Sequence, residues 1–169
     1  FIQISIPSSV ESIGPDAFYL CSSLKNVHFE APCNIKIFES YLFFKCESLL
    51  EITIPSSVNS IGGYAFADCN SLALVLFQEP SSIKSINYCA FAGCKSLKHI
   101  SIPSSVESIE KLAFSNCITL DTIMFETPSS LQSIKFRAFY GCSSLKQISI
   151  PSYVTIVEEN AFEGCSSLI

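Results

Sequence analysis

Leu49-Leu50-Glu51-Ile52-Thr53-Ile54-Pro55-Ser56-Ser57-Val58-Asn59-Ser60-Ile61-Gly62-Gly63-Tyr64-Ala65-Phe66-Ala67-Asp68-Cys69-Asn70-Ser71-Leu72 is one unit of a pattern that fills the chain. Ile52 and Ile54 alternate with Glu51 and Thr53. That is strand periodicity, with β-branched residues on one face and polar ones on the other. Pro55 ends the strand because it has no N–H to give a ladder. Ser56-Ser57 turns the chain, and Val58 and Ile61 point inward from a short extended segment on the opposite wall. Gly62-Gly63 turns it again. Ala65, Phe66 and Cys69 have the i, i+1, i+4 spacing of one helical turn, which leads back to Leu72.

The same unit recurs along the whole chain. Phe18, Phe43, Phe66, Phe91, Phe114, Phe139 and Phe162 are 25, 23, 25, 23, 25 and 23 residues apart. Three residues after each comes Cys21, Cys46, Cys69, Cys94, Cys117, Cys142 or Cys165. Three further on comes Leu24, Leu49, Leu72, Leu97, Leu120, Leu145 or Leu168. A period of this length marks a solenoid, in which each coil buries its apolar face only by stacking on its neighbours. The expectation is one repeat domain over residues 1–169, with seven coils and no residues over for a second domain. Strands stacked about 4.8 Å apart would make a rod or arc on the order of 30 Å long.

The alternation of 23 and 25 residues defines a two-coil cassette of 48. Odd coils read Ile-Pro-Ser-(Ser or Tyr)-Val, as in Ile6 to Val10 and Ile102 to Val106. Even coils read Phe-x-x-Pro with two extra residues before the next apolar one, as in Phe29 to Ile35 and Phe77 to Ile83. Those extra residues should bulge at one sheet edge on every second coil. The second coil is irregular, with Phe38 and Leu42 where most others have Ile and Ala, so local distortion is expected there.

Composition narrows the function. Apolar residues make up 49% and charged ones 15% of the chain, which excludes disorder. The longest clean apolar run, Leu72 to Phe77, is too short to span a bilayer. Net charge is −5, and the ten basic residues are scattered singly. Nucleic acid and anionic membrane surfaces both need clustered Lys and Arg, so neither is expected as a partner. Seven of the nine cysteines form the repeat ladder. At one angular position per coil they read as free buried thiols, with parallel Cβ directions that do not favour bridging. Cys33 and Cys89 lie off the ladder and are expected to be more exposed. The chain opens with Phe1 in the repeat-leucine position and stops just after Leu168, which reads as a piece of a longer array without caps. Weak end-to-end self-association is the corresponding expectation.

The pattern Leu-x-x-Ile-x-Ile-Pro-x-x-Val-x-x-Ile-Gly-x-x-Ala-Phe-x-x-Cys-x-x-Leu, carried by Leu49 to Leu72, resembles the BspA-like leucine-rich repeats. The resemblance covers all seven coils, and the Ala-Phe-x-x-Cys element makes it specific. It implies a mostly β solenoid of leucine-rich-repeat type, a right-handed superhelix with a parallel sheet on the concave face and short strands and helical turns elsewhere. It also implies a non-catalytic surface or secreted protein of a mucosal bacterium or parasitic protist, adhering to host matrix or cell-surface proteins. An intracellular scaffold or regulatory repeat protein is the alternative, and free thiols would suit that compartment.

No catalytic chemistry stands out. His28 and His99 are three coils apart, roughly 14 Å at the strand spacing, and cannot share a metal. Cys94 faces inward and His99 outward, so they make no nucleophile pair. Serines fall on turns. No phosphate loop or metal-ligand spacing is present, and no cofactor is expected. The non-uniform feature is the outward row of the strands: Gln3/Ser5, Asn26/His28, Glu51/Thr53, Leu74/Leu76, His99/Ser101, Thr122/Met124 and Gln147/Ser149. Leu74 and Leu76 put two apolar side chains amid polar ones. With His28, Thr53, His99 and Met124 they form the candidate binding face for a protein partner of unknown identity.

Overall fold

A computed structural model describes residues 2–169. Phe1 lies outside the described residues. The strands in chain order are β1 (Ile2–Ile6), β2 (Leu24–Phe29), β3 (Ile37–Phe38), β4 (Glu51–Ile54), β5 (Ser60–Ile61) and β6 (Leu74–Phe77). They continue as β7 (Ser85–Ile86), β8 (His99–Ile102), β9 (Ser108–Ile109), β10 (Thr122–Phe125), β11 (Ser133–Ile134) and β12 (Ile156–Val157). Coils 1 to 6 each contribute one long strand and coils 2 to 7 one short strand. All pairing is parallel, as stacking of successive coils requires. The molecule is a parallel-sheet β-solenoid of seven coils with no helix among the described residues.

The two sheets differ in continuity. The short strands form one unbroken six-stranded sheet, β3-β5-β7-β9-β11-β12. The long strands divide into β1-β2-β4-β6 and β8-β10. Within a cassette, odd to even, the long-strand ladders are extended: Gln3 to Ile6 match Asn26 to Phe29, Glu51 to Ile54 match Leu74 to Phe77, and His99 to Ile102 match Thr122 to Phe125. Between cassettes they fail. β2 and β4 share one matched pair, Asn26 and Glu51, and β6 and β8 share none. The stretch Lys146 to Ile150 makes no ladder to β10.

Proline supplies part of the reason. At the end of each even strand, Glu30, Gln78 and Glu126 donate their N–H to the carbonyls of Ile6, Ile54 and Ile102 in the coil before. The residue at that place in odd coils is Pro55, Pro103 or Pro151. Proline has no N–H, so the matching bond to Phe29, Phe77 or Phe125 cannot form.

The third wall is where the sequence predicts a helical turn, and the structure differs. Ala65, Ala67 and Cys69 donate to Gly62, Tyr64 and Phe66 three residues back. The alternate residues Tyr64, Phe66 and Asp68 donate instead to Tyr88, Ala90 and Ala92 of the next coil. Tyr64 and Asp68 have φ of 58° and 57°, in the left-handed region. A helix would spend every N–H within its own coil. With left-handed residues four apart, every second N–H is released for stacking, while i, i+1 and i+4 still point inward. The cost of left-handed Tyr41, Tyr64 and Leu112 is offset by the inter-coil bonds their N–H groups make to Gly63, Tyr88 and Phe136.

Inside, the phenylalanines form a continuous column from Phe18 to Phe162. Ring centroids are 5.1–5.4 Å apart and neighbouring planes lie within 16°. Each ladder thiol from Cys46 to Cys165 donates to the carbonyl of the phenylalanine one coil before, for example Cys69 Sγ to Phe43 O at 3.1 Å and Cys94 Sγ to Phe66 O at 3.2 Å. Cysteine is therefore both a small apolar filler and a weak donor that ties coils together. Burial pushes the Cys46 thiol up to about 12, with neighbouring Cys21 adding to the rise, and burial likewise takes Cys117 up to about 12. Burial raises Cys69 and Cys94 as well.

Two expectations about cysteine exposure need correction. Cys89 is only 5% exposed, because its left-handed turn tucks the thiol against the hydroxyls of Tyr64 and Tyr88. Cys21, on the ladder, is exposed, since no preceding coil lies over it among the described residues. All nine cysteines are free. In the irregular second coil the register is kept: Ile37 and Phe38 match Ser60 and Ile61, and Phe38 is fully buried against Phe29, Phe43 and Phe66. The distortion shows as a close backbone approach at Gly62, where a Cβ would lie 2.7 Å from the Glu39 carbonyl carbon. Only glycine fits there.

Candidate functional site

The long-strand face carries the candidate residues in the order read from the sequence. Strand alternation sends Ile52, Ile54 and Val75 into the core and leaves Glu51, Thr53, Leu74 and Leu76 outside. Register matches Thr53 with Leu76, and Met124 with Ser101. Leu74 is 40% exposed, Leu76 48% and Met124 64%. The leucine pair sits on β6, the last strand of the first sheet, beside the break. On the far side, β8 and β10 carry a polar network. His99 Nδ1 lies 2.9 Å from Asp121 Oδ1, the Thr122 hydroxyl donates to the same oxygen at 2.8 Å, and the Ser101 hydroxyl donates to Glu126 at 3.1 Å. Coil 5, with His99 and Ser101, therefore lies between the leucine pair and Met124.

Two clefts open in this face, both at even-to-odd junctions. Between coils 2 and 3, where only Asn26 and Glu51 match, a cleft of about 430 Å³ is lined by His28, Thr53, Glu51, Gln3, Pro55 and Gln78 among others. It brings His28 and Thr53 together on polar ground. Between coils 6 and 7 a larger cleft of about 670 Å³ runs between the β10 strand, including Met124, and the chain from Lys146 to Tyr153. Its exposed apolar members are Met124, Ile150 at 42% and Tyr153 at 70%. Sequence reasoning found Met124 but not Ile150 or Tyr153. By the repeat pattern Ile150 reads as an inward residue; in the structure it lies in no ladder and is exposed.

The third wall holds a feature that the repeat pattern also hides. Tyr19, Tyr41, Phe44, Tyr64 and Tyr88 make one continuous aromatic cluster over coils 1 to 4, with centroids 4.8–6.4 Å apart. These residues occupy x positions of the repeat, which the pattern leaves unconstrained. Among the described residues, no group of three or more His, Cys, Asp or Glu is placed to hold a metal ion. Among the described residues, no helix is long and apolar enough to cross a membrane.

The sequence matches the model of the BspA-type leucine-rich repeat region in two overlapping stretches, residues 1–121 and 74–169. A leucine-rich repeat protein of T. pallidum is similar in structure, with a TM-score of 0.88 and 28% identity over 99% of this chain and 78% of that one. A leucine-rich repeat protein from Bacteroides ovatus gives 0.63 and 29% over 99% of this chain and 54% of that one. One from Eubacterium ventriosum gives 0.65 and 23% over 96% of this chain and 58% of that one, a likeness of fold alone. This chain thus spans little more than half the length of the Bacteroides and Eubacterium proteins. No curated protein matches it.

Proposed function

This chain belongs to the BspA-type leucine-rich repeat family, and on that premise we propose that it is a non-catalytic protein-binding module of a surface or secreted adhesin-like protein. It binds host matrix or cell-surface proteins through the long-strand face. The observation that carries the reading is the exposed pair Leu74 and Leu76 amid polar neighbours. Solvent gains nothing from two adjacent leucines at outward positions, and apolar patches rimmed by polar residues mark contacts. The match to this repeat family supports an interaction module at the coarser level. A second reading is an intracellular scaffold, favoured by nine unpaired cysteines, of which seven are buried.

The test measures binding of the chain to a panel of purified extracellular-matrix proteins and to extracted cell-surface proteins. Leu74→Asp/Leu76→Asp should keep the fold, because neither side chain is in the core, and should weaken binding by about tenfold or more. Equal binding by native and variant chains would remove the leucine pair from the site. Absence of any binding to matrix or surface proteins, with binding to a cytosolic partner, would select the second reading.

A further inference from the structure

The cleft between coils 6 and 7 has walls made of backbone as well as side chains. Thr122 and Glu126 donate their N–H groups to Lys98 and Ile102 in the coil before. In a parallel strand the alternate residues direct their backbone groups to the other side. Ile123 and Phe125 therefore present theirs to the cleft. On the facing wall, no backbone bond joins the stretch 146–153 to coil 6 among the described residues. By the same alternation, Gln147 and Ser149 face the cleft. Each wall thus offers unmade ladder bonds to the space between them. Behind it, the coils stay joined through Ser133 and Ile134 matched with Ile156 and Val157, and through Phe139 N–H to Ala161 O. The opening is confined to the long-strand face.

Resting on the protein-binding reading above, we propose that this cleft takes an extended segment of a partner protein as an inserted β-strand, bonded along both of its edges. Backbone pairing gives such recognition its affinity, and alternate side chains give it specificity. The walls span about four residues, or ~13 Å at 3.3 Å per residue. Buried Ile123, half-buried Phe125 and exposed Ile150 line the cleft as an apolar floor for inward side chains. Met124 and Tyr153 flank the outward ones. Asp121 and Lys146 give the lining one charge of each sign, so no charged segment is selected. The occupant is an extended stretch with an apolar residue at every second position. The molecule holds a strand of that chemistry, Asn26 to Phe29, which pairs with the other edge of Gln3-Ile4-Ser5-Ile6, the sequence repeated as Gln147-Ile148-Ser149-Ile150. Only pairing on the Gln147 and Ser149 side therefore counts as insertion.

The probe is therefore the blocked peptide Leu-Lys-Asn-Val-His-Phe-Glu, copied from residues 24–30, titrated against the intact chain. Hydrogen exchange should slow by about tenfold or more at Ile123, Phe125, Gln147 and Ser149. Two N-methylated probes, one blocked at the asparagine and one at the valine, should each bind about fivefold or more weakly, because opposite edges are lost. Weakening by only one of the two means addition to a single edge and overturns insertion. Protection confined to Ile148 and Ile150 places the probe on the outer edge of coil 7 and also overturns it, as does no binding. Protection at the cleft amides that rises with protein concentration alone assigns the space to a second copy of the chain rather than to a partner. Leu74→Asp/Leu76→Asp separates the two readings: loss of matrix binding without cleft protection sinks this inference and leaves the proposed function standing.

Discussion

Gln3-Ile4-Ser5-Ile6 and Gln147-Ile148-Ser149-Ile150 are the same tetrapeptide, and both are followed by Pro-Ser. The first lies within β1 and matches Asn26 to Phe29 residue for residue. The second is in no ladder, and its Ile150 is exposed where Ile6 is buried. Among the described residues coil 1 lies beside the even coil after it, and coil 7 beside the even coil before it. An odd strand is thus held by the even coil that follows. The weak contacts of β4 and β8 with the coils before them fit the same rule. The cassette of 48 residues is a unit of sheet pairing as well as of sequence, while the short-strand sheet, the phenylalanine column and the third wall tie cassettes to one another.

The largest test of this contrast is on the wall where it should vanish. The phenylalanine column is equally tight across both kinds of junction, with Phe43 and Phe66 at 5.3 Å across one kind and Phe66 and Phe91 at 5.1 Å across the other. Phe66→Ala and Phe114→Ala, each read by chemical denaturation, should cost about 3–5 kcal/mol alike. Phe162→Ala should cost visibly less, since Phe162 is half-buried. Equal losses at Phe66 and Phe162 would refute the stacked-column account.

The thiol ladder also crosses every junction, and it makes stability depend on pH. The Cys117 thiol titrates near 9 in the unfolded chain and at about 12 in the fold. Unfolded chains therefore release the proton first, and stability is retained below about pH 9 and lost as pH rises toward 12. Cys117 should contribute about 1.4 kcal/mol of loss per pH unit in that window. Comparing native and Cys117→Ala chains at pH 9 and 11 isolates the effect. A difference independent of pH would show that the thiol is not buried as described.

A third test concerns rates. Under native conditions Cys21 should react first with a thiol reagent, ahead of half-buried Cys33, with Cys89 and the inner rungs about tenfold or more slower. Mass spectrometry of labelled peptides reads the order. Early labelling of Cys89 would mean that its turn opens readily.

The smallest effect is the sharpest for the junctions themselves. Pro103→Gln gives an odd coil the residue that Gln78 supplies in an even one. The new amide at position 103 should reach the Phe77 carbonyl and gain about 1 kcal/mol. Loss of proline stiffness in the unfolded chain offsets about 0.4–1 kcal/mol of this. Net stability should hardly move, while exchange across His99–Ile102 slows. A freely exchanging amide at position 103 would show that proline is not what interrupts the sheet.

Much of this molecule could be read from its residues. The spacing of phenylalanine, cysteine and leucine sets the number of coils, the inward set and the parallel stacking, because a side chain repeated at a fixed angle can be buried only by its own copies above and below. The outward row was legible too, since period two assigns faces once the strand is found. The Ala-Phe-x-x-Cys turn reads as a helical turn because a helix and a turn with left-handed residues four apart place i, i+1 and i+4 alike. Only the destination of each N–H separates them, and that depends on the next coil. Cys89 was misjudged because its cover comes from tyrosines at positions the repeat does not constrain.

What the sequence by itself determined is the inward-facing set of each coil, including Ile148 as a partner for the core. What only the tertiary structure decided is which strands pair. Gln147-Ile148-Ser149-Ile150 has every local property of the strand it forms at residues 3–6. A strand's backbone bonds are made with another segment, so identical residues become a strand beside one neighbour and a cleft wall beside another.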